Sequence, residues 1–247
     1  MTDSRSYRAV LLDIEGTVSS IRFVYDEMFP FARREIPQYV ATHFSDSAFA
    51  PTVEAIAADL GFDSAQAWWE SREIGESDRS KVVVDAAIGM MDDDKKATGL
   101  KRLQGEVWQA GFESGELVSH HYDDFISAIN RWKEQGVEMR IYSSGSVAAQ
   151  LLFFRYTQSG NLLDYFSGHY DTTTGPKKES QSYVSIATDM NVSVGDVLFC
   201  SDSVDEVNAA RQAGMQTALC IRPGNPEVTD DCGHMTIHSF DTLFIGH

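Results

Sequence analysis

The chain has 247 residues, with 43% hydrophobic and 11% aromatic content, enough for a real core and opposed to disorder. Its 37 acidic residues outweigh 20 basic ones, a formal charge of −17, which disfavours nucleic-acid and anionic-membrane partners. The same field repels a phosphorylated substrate, so a phosphate site here must bring its own positive charge: a metal ion, a lysine or backbone amides.

In chain order, the polar start (MTDSRSYRAVLLD) runs directly into an apolar segment and lacks a signal-peptide layout. No stretch of sequence is long and apolar enough to span a bilayer, and a cytoplasmic location is expected. Four apolar runs predict buried parallel strands: residues 7–13, 137–143, 197–201 and 216–221. Helical segments are predicted over 122–135, 146–158, 180–190 and 203–213, with Gly136 and Gly214 as C-terminal stops. Alternating strands and helices predict an α/β fold, a doubly wound parallel (Rossmann-like) sheet. Between the first strand and the rest, helical periodicity over 25–43, 52–60 and 97–111 predicts a helical insertion. Its glycines at 75, 89 and 99 and its acidic run Asp92–Asp94 read as exposed connections. The expected division is a core of 1–20 with 116–247 and an inserted helical unit of 21–115. Cys200 and Cys220 fall in strands, where reduced, buried thiols are expected.

Ligands of open parallel sheets bind beyond the C-terminal strand ends. Three predicted strands end in residues suited to phosphate chemistry: DIEGT (Asp13, Glu15, Gly16, Thr17), SSGS (Ser143, Ser144) and SDSVDE (Ser201, Asp202, Asp205, Glu206). Lys177 and Lys178 follow a glycine turn between the second and third. Each piece alone has a plain reading: Asp13, Asp202 or Ser203 as a helix cap, the lysines as a solvated turn. Together, in that chain order, they suit phosphoryl transfer. A carboxylate nucleophile splits hydrolysis into two displacements. Bringing it to a phosphate calls for a divalent cation, and magnesium needs only one or two carboxylates because it keeps several waters. Asp13 and Asp202, with the Glu15 carbonyl, can supply that site. Ser143 with the amides near Ser144 and Gly145 can hold phosphoryl oxygens while Lys177 offsets their charge. Glu15 can act as general acid and then base.

These segments resemble the four motifs of the haloacid dehalogenase-like superfamily, whose first motif usually reads DxDxT; here the second acid is Glu15. Nearly the whole chain resembles a narrower group, the enolase-phosphatases (acireductone synthases) of methionine salvage. DIEGTVSSIRFVYDEMFPFA, LQGEVWQAGF, IYSSGSVAAQLLF, GHYDTTTGPKKESQSY and RPGNPEVTDD carry it. The resemblance implies an enzyme, a phosphoric monoester hydrolase using one Mg2+ per subunit. It implies Asp13 as nucleophile and metal ligand, Glu15 as acid/base and carbonyl ligand, and Asp202 as the remaining ligand. Ser143 and Ser144 correspond to the substrate-binding serine pair, and motif spacing favours Lys177 over Lys178. Glu206, or Asp205, matches a position that can hold a metal-bound water. The implied substrate is 2,3-diketo-5-methylthiopentyl-1-phosphate, enolised and then dephosphorylated to the acireductone. Enolisation calls for magnesium or Lys177 as electrophile and for a base that the sequence leaves unassigned. The helical insertion resembles the family's cap. The alternative is a superfamily phosphatase of another small phosphate ester. A monomer is expected, without nucleic-acid or membrane partners. Plain readings apply to His120 and His121 (exposed or capping) and to Phe62, Trp68, Trp69, Met90 and Met91 (packing of the insertion).

Overall fold

The computed structural model describes residues 7–243. Its six-stranded sheet is parallel throughout, in the order β3-β2-β1-β4-β5-β6. The strands are β1 (Ala9–Leu12), β2 (Glu138–Tyr142), β3 (Gly168–Tyr170), β4 (Val197–Ser201), β5 (Gln216–Cys220) and β6 (Met235–Ile237). All four residues of β1 and all five of β4 are buried, as near-continuous apolar runs require in a sheet shielded from water on both faces. β1 lies centrally, in register Leu12 with Ile141 of β2 and with Cys200 of β4. The chain winds outward from β1 through β2 to β3, then crosses to β4 and winds the other way. The strand order therefore reverses beside β1, where open α/β sheets form their ligand crevice.

The chain divides into two compact units, Met1–Val24 with Val118–His247, and Tyr25–Leu117. In the sheet unit, α6 (Asp123–Glu134), α7 (Val147–Arg155), α8 (Ser180–Asp189) and α9 (Val204–Ala213) alternate with the strands. Tyr183, Ile186 and Ala187 of α8 join Val207 and Ala210 of α9 in a core with Leu11 and Phe199 of the sheet. Gly136 and Gly214 close α6 and α9 with φ of 70° and 99°, as expected of C-terminal glycines. Cys200 and Cys220 are buried and free; Cys232 is exposed.

The second unit is helical among its described residues: α1 (Phe29–His43), α2 (Ala50–Asp59), α3 (Ala65–Ser71), α4 (Arg79–Asp92) and α5 (Thr98–Ser114). A π-helical turn over Phe23–Met28 precedes α1, so the regular helix starts later than periodicity alone indicates. α5 packs against α1 and α2, and α4 against α1. Phe62, Trp68 and Trp69 stack in series at 6.2 and 4.6 Å, which gives them the packing role expected. Met90 is buried in the same way.

Several expectations need correction. Gly89 and Gly99 are not in connections but in α4 and α5; Gly89 is exposed and Gly99 buried. A Cβ at Gly99 would stand 2.4 Å from the backbone nitrogen of Ile56, so this glycine permits the close approach of α5 to α2. Asp92 ends α4 and pairs with Arg33, while Asp93 and Asp94 form the exposed turn expected. His121 is buried, its ring on Ser159 Oγ (2.9 Å) and the Tyr122 carbonyl (3.0 Å), so neither exposure nor capping describes it. β3, β6, α3 and α4 were not anticipated. The two strands are three-residue edge strands with polar positions, too short to carry a periodic signal.

Candidate active site

Asp13 directly follows β1, Ser143 follows β2 and Asp202 follows β4, so three neighbouring strand ends place these side chains on one edge of the sheet. Past Asp13 the chain turns at once. The amides of Thr17, Val18 and Ser19 all donate to the Ile14 carbonyl, and Gly16 donates to that of Ser19. Gly16 has φ of 70°, and a Cβ there would lie 2.1 Å from Oδ2 of Asp202. Glycine is thus required twice, by conformation and by the approach of the Asp202 carboxylate. Asn225, beyond β5, donates to the Gly16 carbonyl at 2.9 Å and holds the turn from the far side.

Lys177 is the hub. Its Nζ lies 2.7 Å from Oδ1 of Asp13 and 2.7 Å from Oε2 of Glu206, with its side chain only 5% exposed. Burial lowers the affinity of this amine for its proton, but Asp13 and Glu206 outweigh it, and the ammonium is held above its usual range. Lys178 differs: it is exposed and pairs with exposed Asp205 at 2.7 Å. The solvated-turn reading therefore describes Lys178 and not Lys177. Asp205 is likewise on the surface while Glu206 is buried.

The second acid, Glu15, accepts from Ser143 Oγ at 3.1 Å, and that oxygen accepts from the Gly145 amide at 3.1 Å. Burial and the neighbouring Asp13 raise the pKa of Glu15. Ser144 points the other way in exposure: it is solvent-exposed, whereas Ser143 is buried. Ser201 Oγ donates to Glu206 at 2.8 Å and accepts from the Ser203 amide at 3.1 Å. Ser203 occupies the N-cap position of α9 without a side-chain capping bond, against the plain reading of that serine.

Asp13, Glu15, Asp202 and Glu206 thus share one buried cation. Burial, then Asp13 and Glu206, raise Asp202 to about 7; burial and Asp13 raise Glu206 to about 7. This surplus of carboxylate oxygen fits a hard divalent cation. Among the described residues no three His, Cys, Asp or Glu form a ready-made metal cage. Magnesium does not need one, since one or two carboxylates and a carbonyl suffice beside its waters. Asp13, Asp202 and the Glu15 carbonyl fit that demand. The bond from Asn225 and the steric requirement for Gly16 are not legible in the sequence, whereas Ser201 is among its strand-end candidates. Of the first two, only Gly16 carried a signal, as the turn-forming glycine of DIEGT.

A haloacid dehalogenase-like hydrolase family model matches residues 7–214. "Enolase-phosphatase E1" of Azotobacter vinelandii is 40% identical over 237 residues, covering 96% of both chains. The protein of the same name from Sorangium cellulosum is 42% identical over 239 residues, 96% of this chain and 97% of that one. Among solved structures, the UTR4 protein of Saccharomyces cerevisiae has a TM-score of 0.77 at 34% identity, covering 96% of this chain and 100% of its own. CbbY of Rhodobacter sphaeroides, solved with phosphate, shares the fold at a TM-score of 0.57 and 17% identity, with 96% of each chain covered. The chain belongs to the enolase-phosphatase family of haloacid dehalogenase-like hydrolases and is a phosphatase.

Proposed function

We propose that this phosphatase is magnesium-dependent and converts 2,3-diketo-5-methylthiopentyl-1-phosphate to the acireductone of methionine salvage, as a cytoplasmic monomer. The observation that carries the reading is the buried Lys177 ammonium, 2.7 Å from Asp13 at the end of the central strand, with Glu15 beside it on Ser143. The enolase-phosphatase names of relatives matching 96% of the chain support the substrate. The free, buried Cys200 and Cys220 suit a reducing compartment.

In this reading a carboxylate oxygen of Asp13 attacks phosphorus, forming the Asp13–phosphoryl bond as the ester bond to the enol breaks. Glu15 protonates the departing oxygen. Burial and the neighbouring Asp13 raise its proton affinity, which suits that role, and the Ser143 hydroxyl orients it. Glu15 then takes a proton from the water that attacks the acyl-phosphate, which restores Asp13 and releases inorganic phosphate. Lys177 offsets phosphoryl charge from beneath Asp13, and the amide of Gly145 lies on the Ser143 side of the site. Asp13, Asp202 and the Glu15 carbonyl would hold magnesium, which would supply the positive charge that offsets the repulsion of carboxylate and phosphate. The helical unit Tyr25–Leu117 takes the part of the family's cap. The base for enolisation is left unassigned.

The test follows phosphate release and enol absorbance together on the diketone phosphate, with and without magnesium. Magnesium-dependent release through a transient enol is the expected result. Release from other small phosphate esters alone would discard the substrate and leave the alternative, a general phosphatase of the superfamily.

A further inference from the structure

A lysine side chain is long and loses much rotamer freedom when fixed, so the direction of a buried one depends on how firmly its backbone is held. The segment that carries Lys177 lies between β3 and α8 and belongs to neither. Its carbonyls must find partners elsewhere. Three consecutive carbonyls accept from three side-chain hydroxyls, the middle one, Pro176 O, also from the Glu179 amide at 3.1 Å. Tyr142 Oη donates to Gly175 O at 2.8 Å, Ser182 Oγ to Pro176 O at 2.8 Å, and Tyr183 Oη to Lys177 O at 2.6 Å. All three donors are buried. They come from two elements, the last residue of β2 and the first turn of α8. The two tyrosine rings meet edge-on at 5.5 Å, which fixes each against the other. A Cβ at Gly175 would fall 2.3 Å from Ser182 Oγ, so the segment can come this close only with glycine there. The Tyr142 ring also lies 5.7 Å from Nζ of Lys177, within cation–π range.

We propose that the hydroxyls of Tyr142, Ser182 and Tyr183 form a clamp whose work is to aim Lys177 at Asp13, making them positioning residues for dephosphorylation. The clamp links the strand end that presents Ser143 to the segment that presents Lys177, so both phosphate-facing groups share one support. The proposal rests on the part given to Lys177 above.

A double-mutant cycle on the full chain, with the diketone phosphate and saturating magnesium, separates aim from stability. Tyr142→Phe, Ser182→Ala and Tyr183→Phe each delete one hydroxyl, the tyrosine changes without loss of the ring. In the parent background each is expected to lower kcat by roughly 10-fold, toward the roughly 100-fold that a 1 Å misplacement costs, with KM little changed. In a Lys177→Met background the same changes are expected to have no further effect on kcat. Equal losses in both backgrounds would overturn the clamp and leave the hydroxyls a structural part. So would unchanged kcat in all three single variants. Full activity of Lys177→Met alone would instead overturn the assignment of Lys177 on which the clamp stands. Thermal midpoints of the three single variants, measured alongside, are expected not to track the loss of kcat.

Discussion

Asp13 is held by forces that could have been spent on structure alone: burial, an ion pair and a place at the end of the central strand. The proposal that it is reactive draws on two facts: its partner Lys177 is shared with Glu206, and a second acid, Glu15, sits two residues on. Asp13→Asn keeps size and removes the proposed nucleophile. We expect phosphate release to fall roughly 10³-fold or more with circular dichroism unchanged. Substantial residual turnover would sink the covalent route. Glu15→Gln removes the proposed proton donor and keeps the backbone carbonyl proposed as a metal ligand. Slowed leaving-group expulsion with magnesium affinity close to that of the parent is expected, and a collapse in a magnesium titration would make the carboxylate itself a ligand. A different buried pair, Arg222 with Asp124, is structural. Arg222 Nη1 bonds Asp124 Oδ2 at 2.7 Å and the His238 carbonyl at 2.9 Å, and its guanidinium lies 4.7 and 4.4 Å from the rings of Tyr122 and Phe240. Burial raises the Asp124 pKa, but hydrogen bonds from Arg222 and the Phe240 amide outweigh it and hold it below the usual carboxylate range. A depressed folded value gives stability that is full above the unfolded pKa, about 4, and fades as pH falls through the folded one. The gap in thermal midpoint between parent and Asp124→Asn should therefore be wide at pH 7 and shrink below about pH 4. A gap constant down to pH 3 would deny the linkage.

At the scale of elements, helix α5 is instructive because its own N-terminus lacks a side-chain cap. Asp59, the last residue of α2, supplies one across space, accepting from the amides of Thr98 (3.0 Å), Gly99 (2.6 Å) and Leu100 (3.2 Å). That arrangement demands close contact between the helices, and Gly99 provides it. Gly105 sits in the same helix with nothing within 4 Å of an added Cβ. Two substitutions of identical chemistry should then diverge. Gly99→Ala forces two backbones apart and should cost about 1–3 kcal/mol, while Gly105→Ala should stabilise by about 0.4–1 kcal/mol through helix propensity and the unfolded chain. Thermal unfolding of both variants checks this, and equal midpoints would refute the role given to the α2–α5 contact. Periodicity over 25–43 reads straight through Pro37 of α1 and does not distinguish the π-helical turn Phe23–Met28 from regular helix, whereas α4 carries no such signal. Valines and Gly89 lower the intrinsic helix preference of α4, and it is packing of Val83, Ala87 and Met90 that makes it a helix.

For the molecule as a whole, a charge of −17 sets a repulsive field for a phosphorylated substrate. Raising salt toward about 0.15 M, where the Debye length is about 8 Å, should weaken that repulsion. kcat/KM is expected to rise modestly with sodium chloride at fixed magnesium; a steady fall would point to attraction by a local positive field instead. Strand ends and motif order were legible because chemistry at strand ends depends on residue type and on chain order, and both are local. Asp13, Glu15, Ser143, Lys177 and Asp202 could be read as candidates that way, and so could the α/β alternation, since fully buried strands are written as apolar runs. What chain order does not contain is distance. That Lys177 is buried against Asp13 while Lys178 is in solvent with Asp205 follows from how the 171–179 segment is gripped by Tyr142, Ser182 and Tyr183, which stand 33 positions before and 6 positions after the carbonyls they hold. Gly16 reads as a turn residue in sequence, but only the arrival of Asp202 from another strand makes its missing Cβ a necessity. The short edge strands β3 and β6 carry too few residues to show a period, and their pairing is decided by the neighbours that leave an open edge. The sequence by itself determined which groups could act and on which strand ends they stand. The tertiary structure decided which of them share a charge, because burial and ion pairing are properties of neighbours in space.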